Sequence, residues 1–227
     1  MRCLGILPES CQSIDSSRVV TAFFALSALD LLNALDKIED DRQNLINWIY
    51  SMQVLENMDD PTPVDFGFRG STICMSSKNS NSEFSDKAHI AMTYTALSAL
   101  VILGDDLSKV KKENILSSLR DLQLPNGSFS PMNIDCESDM RFVYCAACVC
   151  YILQDWSTID VEKIVEYIKN SLNYDGGIGQ GPGLESHGII SIFNFGTVCA
   201  KFSFRMCNYI SLFIVFKITK TPLNSIP

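Results

Sequence analysis

The sequence predicts an all-α protein, an array of helix pairs in which each buried inner helix is followed by a more polar outer one. Three observations predict it. ALSAL stands at Ala25–Leu29 and again at Ala96–Leu100, and YTALSALVIL from Tyr94 aligns with YCAACVCYIL from Tyr144, 50 residues on. The outer segments end in related loops, at Asp65-Phe66-Gly67-Phe68, Pro125-Asn126-Gly127-Ser128-Phe129 and Asp175-Gly176-Gly177-Ile178. Period-two strand patterns are essentially absent. Such repeats either stack into an open solenoid or close into a ring. A glycine-bearing loop at the same end of each unit favours the ring, with a ligand mouth at that end.

Taken in order, Ser16–Leu32 (SSRVVTAFFALSALDLL) is apolar on nearly every face and forms the first inner helix, with Ser16 or Ser17 as its N-cap. Asp40–Leu55 is predicted as a second helix, spacing Ile46, Ile49, Tyr50 and Gln53 along its length. Pro61 and Pro63 open a polar loop that the Ser/Asn-rich run Ser76–Ser85 prolongs. His89–Leu103 is the next buried helix, stopped by Gly104. Asp105 and Asp106 then place acids at the first turn of an outer helix predicted over Leu107–Leu122.

With 227 residues and 47% apolar content, the chain can bury a substantial core as one domain or two small ones. The net charge of −8 is unevenly spread. All 26 acidic residues lie in 1–188 beside 14 of the 18 Lys/Arg, a balance of −12, whereas 189–227 holds four Lys/Arg and no acid. Gly188 is therefore a composition boundary. It separates a body over 1–188 from an apolar, basic tail over 189–227 that is expected to pack poorly. The acidic body and the lack of a basic patch argue against nucleic acid as a partner.

Nine cysteines, odd in number and set mostly in apolar periodic segments, are read as the reduced thiols of a cytoplasmic protein. Cys145, Cys148 and Cys150 have superficially metal-like spacing. They sit in an uninterrupted small and apolar run with no second ligand pair following, so small residues at a helix contact are the better reading. MRCLGILPES lacks a long apolar core, and no signal peptide is predicted. In the tail the uncharged run Met206–Phe216 is about half the ~20 residues a membrane span needs, and Lys201, Arg205 and Lys217 interrupt the rest, so an interfacial or aggregating segment is expected and no span.

Tyr174–Gly188 (YDGGIGQGPGLESHG) is the densest glycine stretch and carries one of the two histidines. Its backbone can approach a ligand or another helix closely, and His187 stands where imidazole and free N–H groups could meet an anion. The alternative is a well-made interhelical loop whose histidine bonds to backbone.

HIAMTYTALSALVILGDDLSKV, SDMRFVYCAACVCYIL and YDGGIGQGPGLESHG resemble successive repeats of the protein prenyltransferase β subunits, most closely of the type I geranylgeranyl branch, over about Arg2–Gly188. The resemblance implies an α/α toroid, here a partial ring of about three repeats, paired with the α subunit shared by the farnesyl and geranylgeranyl enzymes. It implies transfer of a geranylgeranyl group from its diphosphate to the cysteine of C-terminal CaaX sequences, such as those of small GTPases. It places Arg141 and His187 in the isoprenoid diphosphate site. A lone buried guanidinium at the start of an apolar helix would be costly, which favours that role over a surface arginine beside Asp139. The lipid pocket is expected to be lined by Val20, Phe23, Phe24, Met92, Tyr94, Phe142, Tyr144 and Cys145. Farnesyl-transferring relatives carry Trp two residues after the first Ser-Arg; Val20 is smaller and leaves room for a longer lipid, although type I relatives usually have Thr there.

The family also implies zinc, held by an Asp-x-Cys pair and a later His well beyond LESHG. None of those ligands follows Gly188 here, and the A/T-rich-codon character of the tail suggests intron or mis-joined exon sequence. Two function classes are expected from this departure: a type I β subunit whose present chain is inactive as it stands, or a non-catalytic isoform that binds the α subunit or a lipid diphosphate. A terpene cyclase is a distant third, because no DDxxD-type motif occurs.

Overall fold

The computed structural model describes residues 9–55, 65–72, 87–133, 136–188 and 190. Among these are six α-helices: α1 (Arg18–Leu31), α2 (Arg42–Ser51), α3 (Ile90–Ile102), α4 (Lys112–Leu122), α5 (Met140–Leu153) and α6 (Val161–Asn170). A short hairpin pairs β1 (Gln53–Val54) with β2 (Gly67–Phe68). α3 packs between α1 and α5, with α2 against α3 and α4 against α5. The odd-numbered helices thus form the inner row predicted by the repeat. The tail over 191–227 and the Ser76–Ser85 loop lie outside the described residues.

Burial follows the apolar pattern. α3 and α5 are enclosed almost all round, from Thr93 to Leu100 and from Val143 to Cys150. α4 buries Ile115, Leu116, Leu119 and Leu122 and exposes Lys112, Glu113, Arg120 and Asp121, as an amphipathic outer helix should. α1 departs from the expected all-round burial: Phe24 is 43% and Leu31 38% exposed.

All three inner helices end in one motif. Asn33, Gly104 and Gln154 have φ of 49°, 75° and 54°. The residue after each sends its N–H back to the last turn, Ala34 to Leu29, Asp105 to Leu100 and Asp155 to Cys150, at 2.8, 3.0 and 3.0 Å. This is a Schellman cap, which satisfies carbonyls the helix leaves open. Gly104 advertises it in the sequence; Asn33 and Gln154 do not.

The opposite ends are strapped by the loops that follow the outer helices. Val19 donates to the Gly70 carbonyl, Ile90 to Pro131 and Met140 to Gln180, at 3.0, 2.9 and 3.0 Å. The glycine-bearing loops therefore sit at the N-terminal ends of the inner helices, all at one end of the row.

Several predicted boundaries move. Ser17 does occupy the N-cap of α1, but its hydroxyl donates to the Ile14 carbonyl (3.2 Å) rather than capping. Asp40 and Asp41 belong to a 3₁₀ segment, Leu35–Asp41, and α2 starts only at Arg42. Gln53 leaves the helix for β1, where its buried amide accepts from Lys111 N–H (3.1 Å) and donates to the Lys109 carbonyl (3.3 Å). α4 starts at Lys112, not Leu107, since Asp105 and Asp106 accept from the N–H groups of Leu107 (2.8 Å) and Ser108 (3.0 Å) and build a turn instead.

Candidate functional site

The site is built where the inner helices begin. α5 opens with Asp139 as N-cap, its Oδ1 accepting from Arg141 N–H at 2.8 Å. The same carboxylate takes the guanidinium: Nε donates to Oδ1 (3.1 Å) and Oδ2 (2.8 Å), and Nη2 donates to Oδ2. Asp139 is buried, with its side chain 11% exposed, whereas the side chain of Arg141 is 49% exposed. The Asp139 hydrogen bonds hold the Arg141 pKa above its usual value. The desolvation argument for Arg141 is thereby corrected, because the guanidinium is neither lone nor buried. What it offers outward is Nη1, which makes no hydrogen bond among the described residues.

His187 lies at the end of the third loop, directly before helical Gly188, with its side chain exposed. Its N–H donates to the Ile178 carbonyl at 3.2 Å. Two residues further along the same stretch, Gln180 accepts from Met140, the neighbour of Arg141. One loop thus anchors both residues at the same end of α5.

The residues expected to line a lipid pocket divide into two groups. Phe23, Tyr94 and Tyr144 hold the same position in the three units and form a row of edge-on rings across α1, α3 and α5, with centroids 5.6 and 5.4 Å apart. The Tyr94 and Tyr144 hydroxyls meet at 3.2 Å. These three are buried, and so is Cys145, so they offer no open surface. Val20, Met92 and Phe142 are half-buried and Phe24 is exposed. Phe24 extends the aromatic row, its centroid 5.5 Å from that of Phe23.

Cys145, Cys148 and Cys150 are buried and take part in no disulfide. Burial pushes the thiols of Cys145 and Cys150 up to about 12. Among the described residues no cluster of His, Cys, Asp or Glu could hold a metal ion, and no helix is long and apolar enough to cross a membrane.

Two features escaped the sequence reading. His89 caps α3, its Nδ1 accepting from Ala91 N–H at 3.1 Å, beside a small cleft lined by Asp65, Phe66, Ile115 and Ser118. Asn173, Asp175 and Ser186 tie the third loop together; the Asn and Asp flanking a glycine turn were the available signal.

The profile of the prenyltransferase alpha-alpha toroid domain matches residues 1–208. The chain is 37% identical to the geranylgeranyl transferase type-1 subunit beta of Arabidopsis thaliana over 91% of its own length, and 38% identical to that of Dictyostelium discoideum over 82%. It spans about half the length of these relatives, 54% and 56%. A 37% identical stretch of the Arabidopsis thaliana protein farnesyltransferase subunit beta covers 44% of the chain. Candida albicans protein geranylgeranyltransferase-I, solved complexed with GGPP, superposes with a TM-score of 0.74 over 92% of this chain and 59% of that one, at 21% identity, and so shares the fold. Sequence repeat, paired helices and relatives agree, and the chain belongs to the prenyltransferase alpha-alpha toroid family.

Proposed function

We propose that the chain acts as the β subunit of a type I protein geranylgeranyltransferase, in the cytoplasm and together with the α subunit that the farnesyl and geranylgeranyl enzymes share. The observation that carries this reading is the identity of 37% over 91% of the chain to a type-1 beta subunit. The geometry is consistent with it. Arg141 and His187 stand at one end of the inner row, and the unpaired Nη1 edge of Arg141 suits a diphosphate oxygen. Transfer forms a bond from the first lipid carbon to the CaaX cysteine sulfur and breaks that carbon's bond to the diphosphate oxygen, so diphosphate leaves with the electron pair and the thiol proton goes to solvent. These two donors would hold the negative charge that collects on the leaving group. The lipid would lie along Val20, Phe24, Met92 and Phe142, with Phe23, Tyr94, Tyr144 and Cys145 closing the wall.

The zinc implied by the family does not fit the described residues. The thiols of Cys145, Cys148 and Cys150 are enclosed in α5, those of Cys145 and Cys150 are held in the neutral form by burial, and no other cluster is available among the described residues. No step is therefore assigned to a metal here.

The test is to pair the chain with the α subunit and titrate with geranylgeranyl and farnesyl diphosphates, then repeat with Arg141→Ala and His187→Ala. Preference for the longer lipid, and a loss of about tenfold or more in each variant, is expected for charge-assisted contacts. Equal binding of both lipids, or variants that bind as tightly as the parent, would defeat the reading. Lipid binding with no transfer to a CaaX peptide would identify the chain as a non-catalytic binding isoform.

A further inference from the structure

The third loop is closed by its own side chains immediately before His187. Asp175 Oδ1 accepts from Gly177 N–H at 2.9 Å and from Ser186 Oγ at 2.7 Å. Ser186 Oγ in turn accepts from Asn173 Nδ2 at 2.9 Å, and that amide also donates to the Leu184 carbonyl at 2.8 Å. The two bonds from Ser186 and Gly177 hold the Asp175 carboxyl below its usual pKa. Gly177 is required by the closeness of the pair, since a Cβ there would lie 2.7 Å from that of Ser186. On the other side Ser186 is bridged to Gly179, and His187 N–H is tied to Ile178.

The preceding unit uses the same device with the parts exchanged. Ser128 Oγ donates to Asn126 Oδ1 (2.7 Å) and accepts from Ser138 Oγ (3.1 Å), and Ser138 directly precedes Asp139, the cap that holds Arg141. In the third unit glycine stands in place of Ser128, and the serine before the functional residue reaches the turn acid itself. In both units the serine directly before the residue that precedes the next inner helix, Asp139 or His187, is tied to the glycine turn, through Ser128 to Asn126 in one and directly to Asp175 in the other. The imidazole of His187 makes no hydrogen bond of its own among the described residues, so its placement depends on this backbone.

We propose that Ser186 is a positioning residue for His187, fixing its backbone through Asp175 and Asn173 so that the imidazole is presented to an anionic oxygen. This rests on the reading of His187 as a ligand of the isoprenoid diphosphate. Ser186 carries no charge, so removing its hydroxyl changes geometry without changing the field at the anion, which Asp175→Asn would not achieve.

The experiment uses the chain with the α subunit and geranylgeranyl diphosphate as the probe, comparing Ser186→Ala, Ser186→Thr, His187→Ala and the Ser186→Ala/His187→Ala double variant. Ser186→Ala should weaken binding about threefold to tenfold, Ser186→Thr should stay within about twofold of the parent, and the double variant should bind no worse than His187→Ala. Parent-like binding by Ser186→Ala beside an impaired His187→Ala overturns the positioning role alone. A full Ser186→Ala loss on top of His187→Ala also overturns it, since the serine would then act on the loop at large. Parent-like binding by His187→Ala removes the ligand reading and the inference with it.

Discussion

Lowering the pH from 7 to 5 should cost this protein about 2 kcal/mol of stability through one residue, His89. Its Nδ1 accepts from Ala91 N–H at the start of α3, and burial lowers its pKa from 6.5 to about 4. Protonation would remove the acceptor and set a positive charge at the positive end of a helix. The folded pKa lies below the unfolded one, so between them the unfolded chain binds more protons. The stability is therefore fully present above about pH 6.5 and drains away as pH falls toward 4. Linkage over that interval gives about 2 kcal/mol between pH 7 and pH 5. The assay is urea denaturation at both pH values for the parent and for His89→Asn, since asparagine caps a helix without titrating. Asp106, Asp155, Asp160 and Asp175 have pKa values pulled below 3.8 and stay ionised at both pH values, so they cancel in the comparison. Equal losses for parent and variant would refute the reasoning.

Ser98 sits on α3 fully buried with its hydroxyl unpartnered, so Ser98→Ala should raise the denaturation midpoint by an amount worth about 1 kcal/mol; a lower midpoint would contradict this. Gly127 has φ 90° and a Cβ there would meet the Lys163 carbonyl oxygen at 2.2 Å, so Gly127→Ala should destabilise by about 3 kcal/mol or more. Gly176 holds the same place one unit later with φ 78° and nothing within 4 Å, so Gly176→Ala should cost only about 1 kcal/mol, and similar melting curves for the two variants would contradict the contrast.

The inner helices were legible because their burial is written as composition. A helix enclosed on all sides carries small and apolar residues at every position, and Thr93–Leu100 and Val143–Cys150 do so. The outer starts were not legible, because Asp105 and Asp106 satisfy both the rule for a helix start and the rule for a turn. The structure uses the second, with Leu107 at φ 59°. Gln53 was misplaced for a related reason: its amide serves the backbone ahead of α4, a contact 58 residues away that no local pattern records.

At the mouth, the sequence supplied residue types but not their state. Arg141 was singled out as a lone cation, yet its charge is matched by a buried carboxylate two residues before it, and only the Nη1 edge is left to act. That pairing has a physical consequence for the site. An exposed guanidinium loses side-chain entropy when it meets a ligand, and Asp139 imposes much of that order beforehand. The same carboxylate also offsets the attraction for an anion, so on the proposed function Arg141 would orient a diphosphate more than draw it in. His187 stands where Asp139 stands one unit earlier, directly before the following helix, and is tied to Ile178. Because each loop is strapped to the start of its own inner helix, a residue at the inner-helix start or at the loop end has little freedom to leave the mouth. The repeat thus does for this end of the row what a longer set of side-chain contacts does elsewhere: it fixes position through backbone hydrogen bonds, so that on the proposed function the Arg141 Nη1 edge and the His187 imidazole are held where a ligand would meet them.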